Sequence, residues 1–281
     1  MAYLALAGGI GRVEEDGTVA LLALDAPSLA AHLAAGGTLA DLARAPARER
    51  VASEQVARAS LVGSSATVWG IGLNYHSKQR ATGRKLPEHP VLFAKAPSAL
   101  AQPGEPVVVP QAAPSCVDYE GEIAVVVGAP LFEADARAAE AAVAAVAAAN
   151  DVTARDVMRH TGSPTLAKSF PSFGQLASEF FEPSELGGLG AVTVETHVNG
   201  ELRQRDRADG MILPVGELLA LLSRYVVLRP GDVVLTGTPA GTGEDLGAYL
   251  VPGDVVEVSI GGREPLRSEV AELARVGCSG G

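Results

Sequence analysis

Glu120 and Glu122 are separated by one glycine in the segment Val117-Asp118-Tyr119-Glu120-Gly121-Glu122, and the run Ile123-Ala124-Val125-Val126-Val127 follows at once. Such a run reads as a buried strand, on which residues two apart point to the same face. Two carboxylates side by side at the mouth of an apolar sheet repel each other unless a cation neutralises them. Oxygen ligands suit a hard divalent ion, Mg²⁺ or Mn²⁺, and Ca²⁺ is also accommodated. A third acid is then required, and Asp151, next to Asn150 where an Ala-rich segment ends, is the best placed. Alone, an E-x-E pair is more often a solvated strand edge.

Lysine is scarce. Lys78, Lys85, Lys95 and Lys168 are the only lysines among 22 basic residues; the rest are arginines. Where arginine is the default surface cation, a retained lysine points to a use for its compact, titratable ammonium. Random survival is the simpler account for Lys85.

The elements that must position these groups follow from pattern. Residues 1–63 read as a small N-terminal α/β domain: short apolar runs flank the hairpin signal Glu15-Asp16-Gly17, and Ala/Leu segments at 28–35 and 39–44 suit short helices. Residues 64–281 form a second domain. Val68 to Leu73 predicts a strand, and Asn74 to Pro90 a long polar loop suited to a lid. Strands are expected at 91–93, 107–109 and 123–127. The Ala-rich stretch Glu133 to Ala149 predicts a helix on propensity. Val192 to Val198 alternates as a strand before the turn Asn199-Gly200. An apolar helix is expected over 213–226, with strands at 233–235 and 255–258. Many short strands and few helices indicate an α+β class.

Composition narrows the function. The 281 residues carry 22 Lys plus Arg against 33 Asp plus Glu, a net charge of −11. That balance argues against nucleic acid and anionic lipid as partners. No apolar run approaches the ~20 residues of a membrane span, and the start lacks a basic leader. Two cysteines, Cys116 and Cys278, make no disulfide framework. A cytoplasmic protein with a small-molecule substrate is expected. Three partial motifs fail on context: Gly8-Gly9-Ile10-Gly11 lacks dinucleotide-loop spacing, 237–243 lacks the phosphate-loop lysine, and no room for a helix follows Gly277-Cys278-Ser279.

The chain resembles the fumarylacetoacetate hydrolase family. The resemblance rests on Gly72-Leu73-Asn74-Tyr75, Phe93-Ala94-Lys95-Ala96-Pro97-Ser98, Asp118-Tyr119-Glu120-Gly121-Glu122, Asn150-Asp151-Val152-Thr153-Ala154-Arg155-Asp156, Ala167-Lys168-Ser169-Phe170, the segment 198–204 and Leu235-Thr236-Gly237-Thr238-Pro239, in family order from about residue 68 to 260. It implies a β-rich mixed β-roll, a homodimer and one Mg²⁺ or Mn²⁺ on Glu120, Glu122 and Asp151. It places Lys168 as a catalytic charge stabiliser, and Arg155, Lys95, Thr238 and Gly237 at substrate-binding positions. The implied substrates are 2-oxo acids or 1,3-dicarbonyl acids, whose reactions develop charge on an enolate oxygen.

The resemblance breaks at the groups that handle water. In hydrolytic members a His lies four residues after the Asn of the Asn-Tyr pair, and a Glu three further on; here these are Lys78 and Ala81, and Met158 replaces a common Gln. His76 is the candidate for a displaced catalytic base, with Glu88 and His89 as weaker ones. C–C hydrolysis of the acylpyruvate or fumarylacetoacetate type leads on family frequency. A decarboxylase, tautomerase, isomerase or other lyase is the alternative. A binding protein on a decayed fold is a third reading, disfavoured by the intact acidic set.

Overall fold

The computed structural model describes residues 1–62 and 66–273. Chain order begins β1 (Ala2–Leu6), β2 (Gly9–Val13), β3 (Thr18–Leu22), α1 (Leu29–Ala34), α2 (Leu39–Arg44), β4 (Ala47–Ala52). It continues β5 (Val68–Gly72), α3 (His76–Thr82), β6 (Val91–Lys95), β7 (Val107–Val109), β8 (Val117–Asp118), β9 (Gly121–Val127), α4 (Ala136–Ala141), β10 (Val143–Asp151). Then come β11 (Thr153–Ala154), α5 (Arg155–Thr161), α6 (Pro164–Ala167), β12 (Gly174–Leu176), β13 (Glu179–Phe181), β14 (Thr193–Val198), β15 (Glu201–Arg207), α7 (Val215–Ser223). The last are β16 (Val233–Leu235), α8 (Gly243–Leu246), β17 (Val255–Ile260) and β18 (Leu266–Glu272).

Strand-rich and mixed, the fold is of the α+β class, and its sheets are open. The larger sheet runs β4-β3-β2-β1-β13-β10-β9-β16-β5-β6, with β12 also on β10; the smaller runs β15-β14-β17-β18-β7, and β8 pairs β11. Alternation along the central strands divides two cores. Ile123, Val125, Val127, Val146 and Ala148 face one, and Ala124, Val126, Ala145, Ala147 and Ala149 face the other. Residues 1–62 join this sheet edge to edge through β1 and β13, and Tyr3, Ile10 and Leu29 enter the second core. The expected boundary at 63/64 and Cys278 with its motif lie outside the described residues. Among the described residues, no helix is long and apolar enough to cross a membrane.

Two expectations about elements are corrected. The Ala-rich stretch is a helix only over Ala136–Ala141, capped by Asp135; from Val143 it becomes the nine-residue strand β10. Burial between β9 on one side and β12 and β13 on the other overrides the helix propensity of alanine. Asn74 to Pro90 is not all loop, because His76–Thr82 forms α3, closed by Gly83 in the left-handed region. Its inward face is polar, with Lys78 buried, so no apolar period marks it.

Candidate active site

The acids meet because of strand register. β9 and β10 run antiparallel with Ala149 opposite Glu122 and Asn150 opposite Gly121. The Asp151 N–H donates to the Glu120 carbonyl at 2.9 Å, and the Glu120 N–H donates to Asn150 Oδ1 at 3.0 Å. Asp151 therefore sits across from Glu120 at the end of a strand, not at a helix end. Oxygens of Glu120, Glu122 and Asp151 lie within 4.8 Å of one another, and all three side chains are buried. Gly121 between the glutamates is obligatory: a Cβ there would meet Thr196 Oγ1 at 1.9 Å.

Buried cations surround the acids. Lys168 follows α6 and donates to Glu120 Oε2, to Asp151 Oδ2 at 2.5 Å and to Thr153 Oγ1 at 2.8 Å. Lys95, the last residue of β6, donates to Asp151 Oδ1 at 2.6 Å. The β8–β11 pairing sets Thr153 opposite Asp118, which brings Arg155 within reach of both acids beside it. Its Nε donates to Asp118 Oδ2 at 2.8 Å and its Nη2 to Glu120 Oε1 at 2.5 Å.

These contacts split the titrations. Burial would raise the Glu120 carboxyl, but the ammonium of Lys168 and the guanidinium of Arg155 hold it well below the usual range. Glu122 is pushed well up by burial and by the charges of Asp151 and Glu120. Burial lowers Lys95 despite Asp151; Lys168 is raised because Asp151, Glu120 and Glu122 outweigh its burial.

Glu122 makes no ion pair among the described residues; its Oε2 accepts only the Gly237 N–H, at 2.7 Å. Counted fully ionised, Asp118, Glu120, Glu122 and Asp151 outnumber Lys95, Lys168 and Arg155 by one charge. A divalent ion on the three clustered carboxylates would reverse that sign, so the donor set fits such an ion.

The remaining site expectations fall in two groups. Gly237 and Thr238 lie beside the cluster, with bonding groups turned to β9: the Thr238 hydroxyl donates to the Gly121 carbonyl at 2.9 Å and accepts from Gln204 Nε2 at 2.8 Å. Gly237 has φ +94°, and a Cβ would come within 2.8 Å of Asn74 Cβ. His76 heads α3 and is exposed, bonded to none of the acids; Glu88 and His89 are exposed too. Sequence reading gave no role to Asp118 or Gln204. Asp118 had a signal, being the third acid at period two in Asp118-Tyr119-Glu120-Gly121-Glu122; Gln204 had only its place at the end of the family-like segment 198–204.

The fumarylacetoacetate (FAA) hydrolase C-terminal family model matches residues 67–271. The chain belongs to the fumarylacetoacetate hydrolase family. Its relatives span several reactions. The chain is 34% identical over 194 residues to the oxaloacetate tautomerase YisK of Bacillus subtilis, covering 68% of this chain and 64% of that one, so the likeness takes in less than two thirds of YisK. It is 30% identical over 271 residues to the 2,4-didehydro-3-deoxy-L-rhamnonate hydrolase of a Sphingomonas species, covering 95% and 93%. The solved 5-carboxymethyl-2-hydroxymuconate delta-isomerase of Mycobacterium smegmatis shares 27% identity and a TM-score of 0.78, covering 97% of this chain and all of that one. Membership of this family makes the protein an enzyme, with a small-molecule substrate and a carboxylate triad able to hold a divalent metal.

Proposed function

We propose that the protein interconverts tautomers or double-bond isomers of a 2-oxo acid through an enolate. The observation that carries this reading is the state of position 78. Lys78 is buried with its ammonium bonded to Asp245 and Thr242, and Ala81 offers no acid, so neither dyad position can activate water. The buried Lys168 and Lys95 beside the triad support a charge-stabilising role. A Mg²⁺ or Mn²⁺ ion held by Glu120, Glu122 and Asp151 would act as a Lewis acid toward the substrate's oxygens.

Lys168 supplies a preorganised positive charge for the enolate oxygen, held by Glu120, Asp151 and Thr153 so that little reorganisation accompanies the reaction. Lys95 fixes Asp151 and Arg155 fixes Glu120, while the ring of Phe93 lies 5.0 Å from Lys168 Nζ. The C3–H pair becomes the C2=C3 bond as the C2=O π pair moves onto oxygen, and water takes the proton from C3 and returns one to oxygen or carbon, so nothing is consumed. We propose that Gly237 and Thr238 act by holding β9 and Glu122 in register. The homodimer and the cytoplasmic location remain part of this proposal.

C–C hydrolysis is the second reading, supported by the hydrolase relative and by His76 on α3. The test is oxaloacetate keto–enol exchange, followed by NMR in D₂O, against acylpyruvate cleavage on the same Mn²⁺-loaded sample. Exchange faster than cleavage is expected. Efficient cleavage that collapses in His76→Ala would install the hydrolytic reading instead.

A further inference from the structure

Consecutive residues of α3 fasten it to two parts of the molecule. Ser77 Oγ donates to Asp206 Oδ2 on β15 at 2.5 Å. Lys78 Nζ reaches α8, donating to Thr242 Oγ1 at 2.6 Å and to both oxygens of Asp245 at 2.8 Å. The side chains of Lys78 and Asp245 are only 7% and 8% exposed, so the pair is shielded from the screening that weakens surface ion pairs. The ammonium has no lone pair, and its three N–H groups match three acceptor oxygens.

The same N-terminal turn of α8 leads to the acids. Gly243 and Glu244 donate backbone N–H groups to the two oxygens of Asp118, at 2.6 and 3.0 Å. Asp118 holds Arg155 Nε, and Arg155 Nη2 holds Glu120. Asp245 is also tied into the turn before α8, accepting from the N–H groups of Gly241 and Thr242. Charge-assisted bonds on both sides of α8, joined by its backbone, thus link α3 to a carboxylate of the triad. Such bonds are about twice as strong as neutral ones.

We propose that Lys78 is a positioning residue: it latches α3 onto α8 through Asp245 and Thr242, and through α8 it fixes Arg155 against Glu120. The position where the family resemblance implies a proton-handling histidine is used here to tie α3 to α8. Only the kinetic part of the test rests on the enolate-forming reading; the exchange part does not.

Hydrogen exchange on the full metal-free chain is the first measurement. In Lys78→Met, amides of 76–82 and 241–247 exchange at least about tenfold faster while β9 and β10 keep their protection. Lys78→Arg restores protection, because a guanidinium gives Asp245 two parallel N–H donors. In oxaloacetate tautomerisation, Lys78→Met raises KM by about tenfold and leaves the shape of the pH–kcat profile unchanged. Lys78→Arg, which cannot release a proton, recovers the KM. Asp245→Asn carries the same exchange expectation and replaces Lys78→Met if that variant fails to fold. Unchanged protection in Lys78→Met and Asp245→Asn overturns the latch. So does a lost limb of the pH profile that arginine fails to restore, which would make Lys78 a proton carrier. A wild-type protein without turnover, but with the expected exchange pattern, would retire the enolate reading and keep the latch.

Discussion

Glu122 is the carboxylate of the cluster that receives no ion pair among the described residues, and that asymmetry gives opposite predictions for neighbouring substitutions. Glu122→Gln keeps an acceptor for the Gly237 N–H and removes a carboxyl whose ionisation is opposed by burial and by the charges of Asp151 and Glu120. It should stabilise the metal-free protein by about 1–2 kcal/mol, roughly 2–6 °C in Tm. It should also cost at least about 100-fold in Mn²⁺ affinity by titration calorimetry, since an amide is a poorer ligand for a hard ion. Lys168→Met should destabilise by about 3–5 kcal/mol, because it leaves Glu120 and Asp151 buried with less compensation. Calorimetric scans of the two variants should move in opposite directions, and equal Mn²⁺ affinity in Glu122→Gln would remove that residue from the metal site. Much of this cluster was legible in the sequence. Lysine scarcity pointed to unusual uses, and Lys78, Lys95 and Lys168 are buried while Lys85 is exposed. The task of Lys78 was not legible, because its partner Asp245 lies 167 residues away in the chain.

Among the elements, the alanine tract shows where sequence reading stops. Local propensity favours a helix through Val143-Ala144-Ala145-Val146-Ala147-Ala148-Ala149, yet these residues form β10, because both faces of that segment are covered by apolar cores. Small side chains suit a strand with packed layers above and below. The strand β9 was legible because Val and Ile carry their own β preference; β10 was not, since tertiary burial decides its state. α3 escaped notice for a related reason, its buried contact being an ion pair and not an apolar stripe. Ala147→Leu separates the alternatives for the tract. On a solvated helix face the change would be close to neutral. Ala147 is fully buried in the second core, so overpacking should cost about 1–3 kcal/mol in urea unfolding.

At the level of the whole molecule, residues 1–62 share a sheet and a core with the rest, and we propose that they dock as an accessory unit on the β13 edge. Glu179 lies at this junction. It stands opposite Leu4 in the β1–β13 register, and its Oε2 is buried without a hydrogen-bond partner. Burial and the charge of Glu264 push its carboxyl up to about 7, against the opposing pull of Arg58 and Arg263. In the unfolded chain the same group releases its proton near its ordinary value of 4.5. Between those two values the folded protein holds a proton that the unfolded chain has lost. The corresponding stability is complete at and below the lower value and declines as pH rises through the upper one. Solvent reaches part of the side chain, which limits the contribution to about 1–2 kcal/mol. The acidic chain as a whole and Glu122 have pH dependences of the same sign, so wild type alone cannot isolate this group. Glu179→Gln stays neutral at every pH and fills the same space. The stability difference between Glu179→Gln and wild type, from urea unfolding at several pH values, should be near zero at pH ~5 and should favour the variant by about 1–2 kcal/mol at pH ~8. A difference that stays flat across this range would show that Glu179 ionises freely and that the junction between residues 1–62 and β13 carries no buried charge.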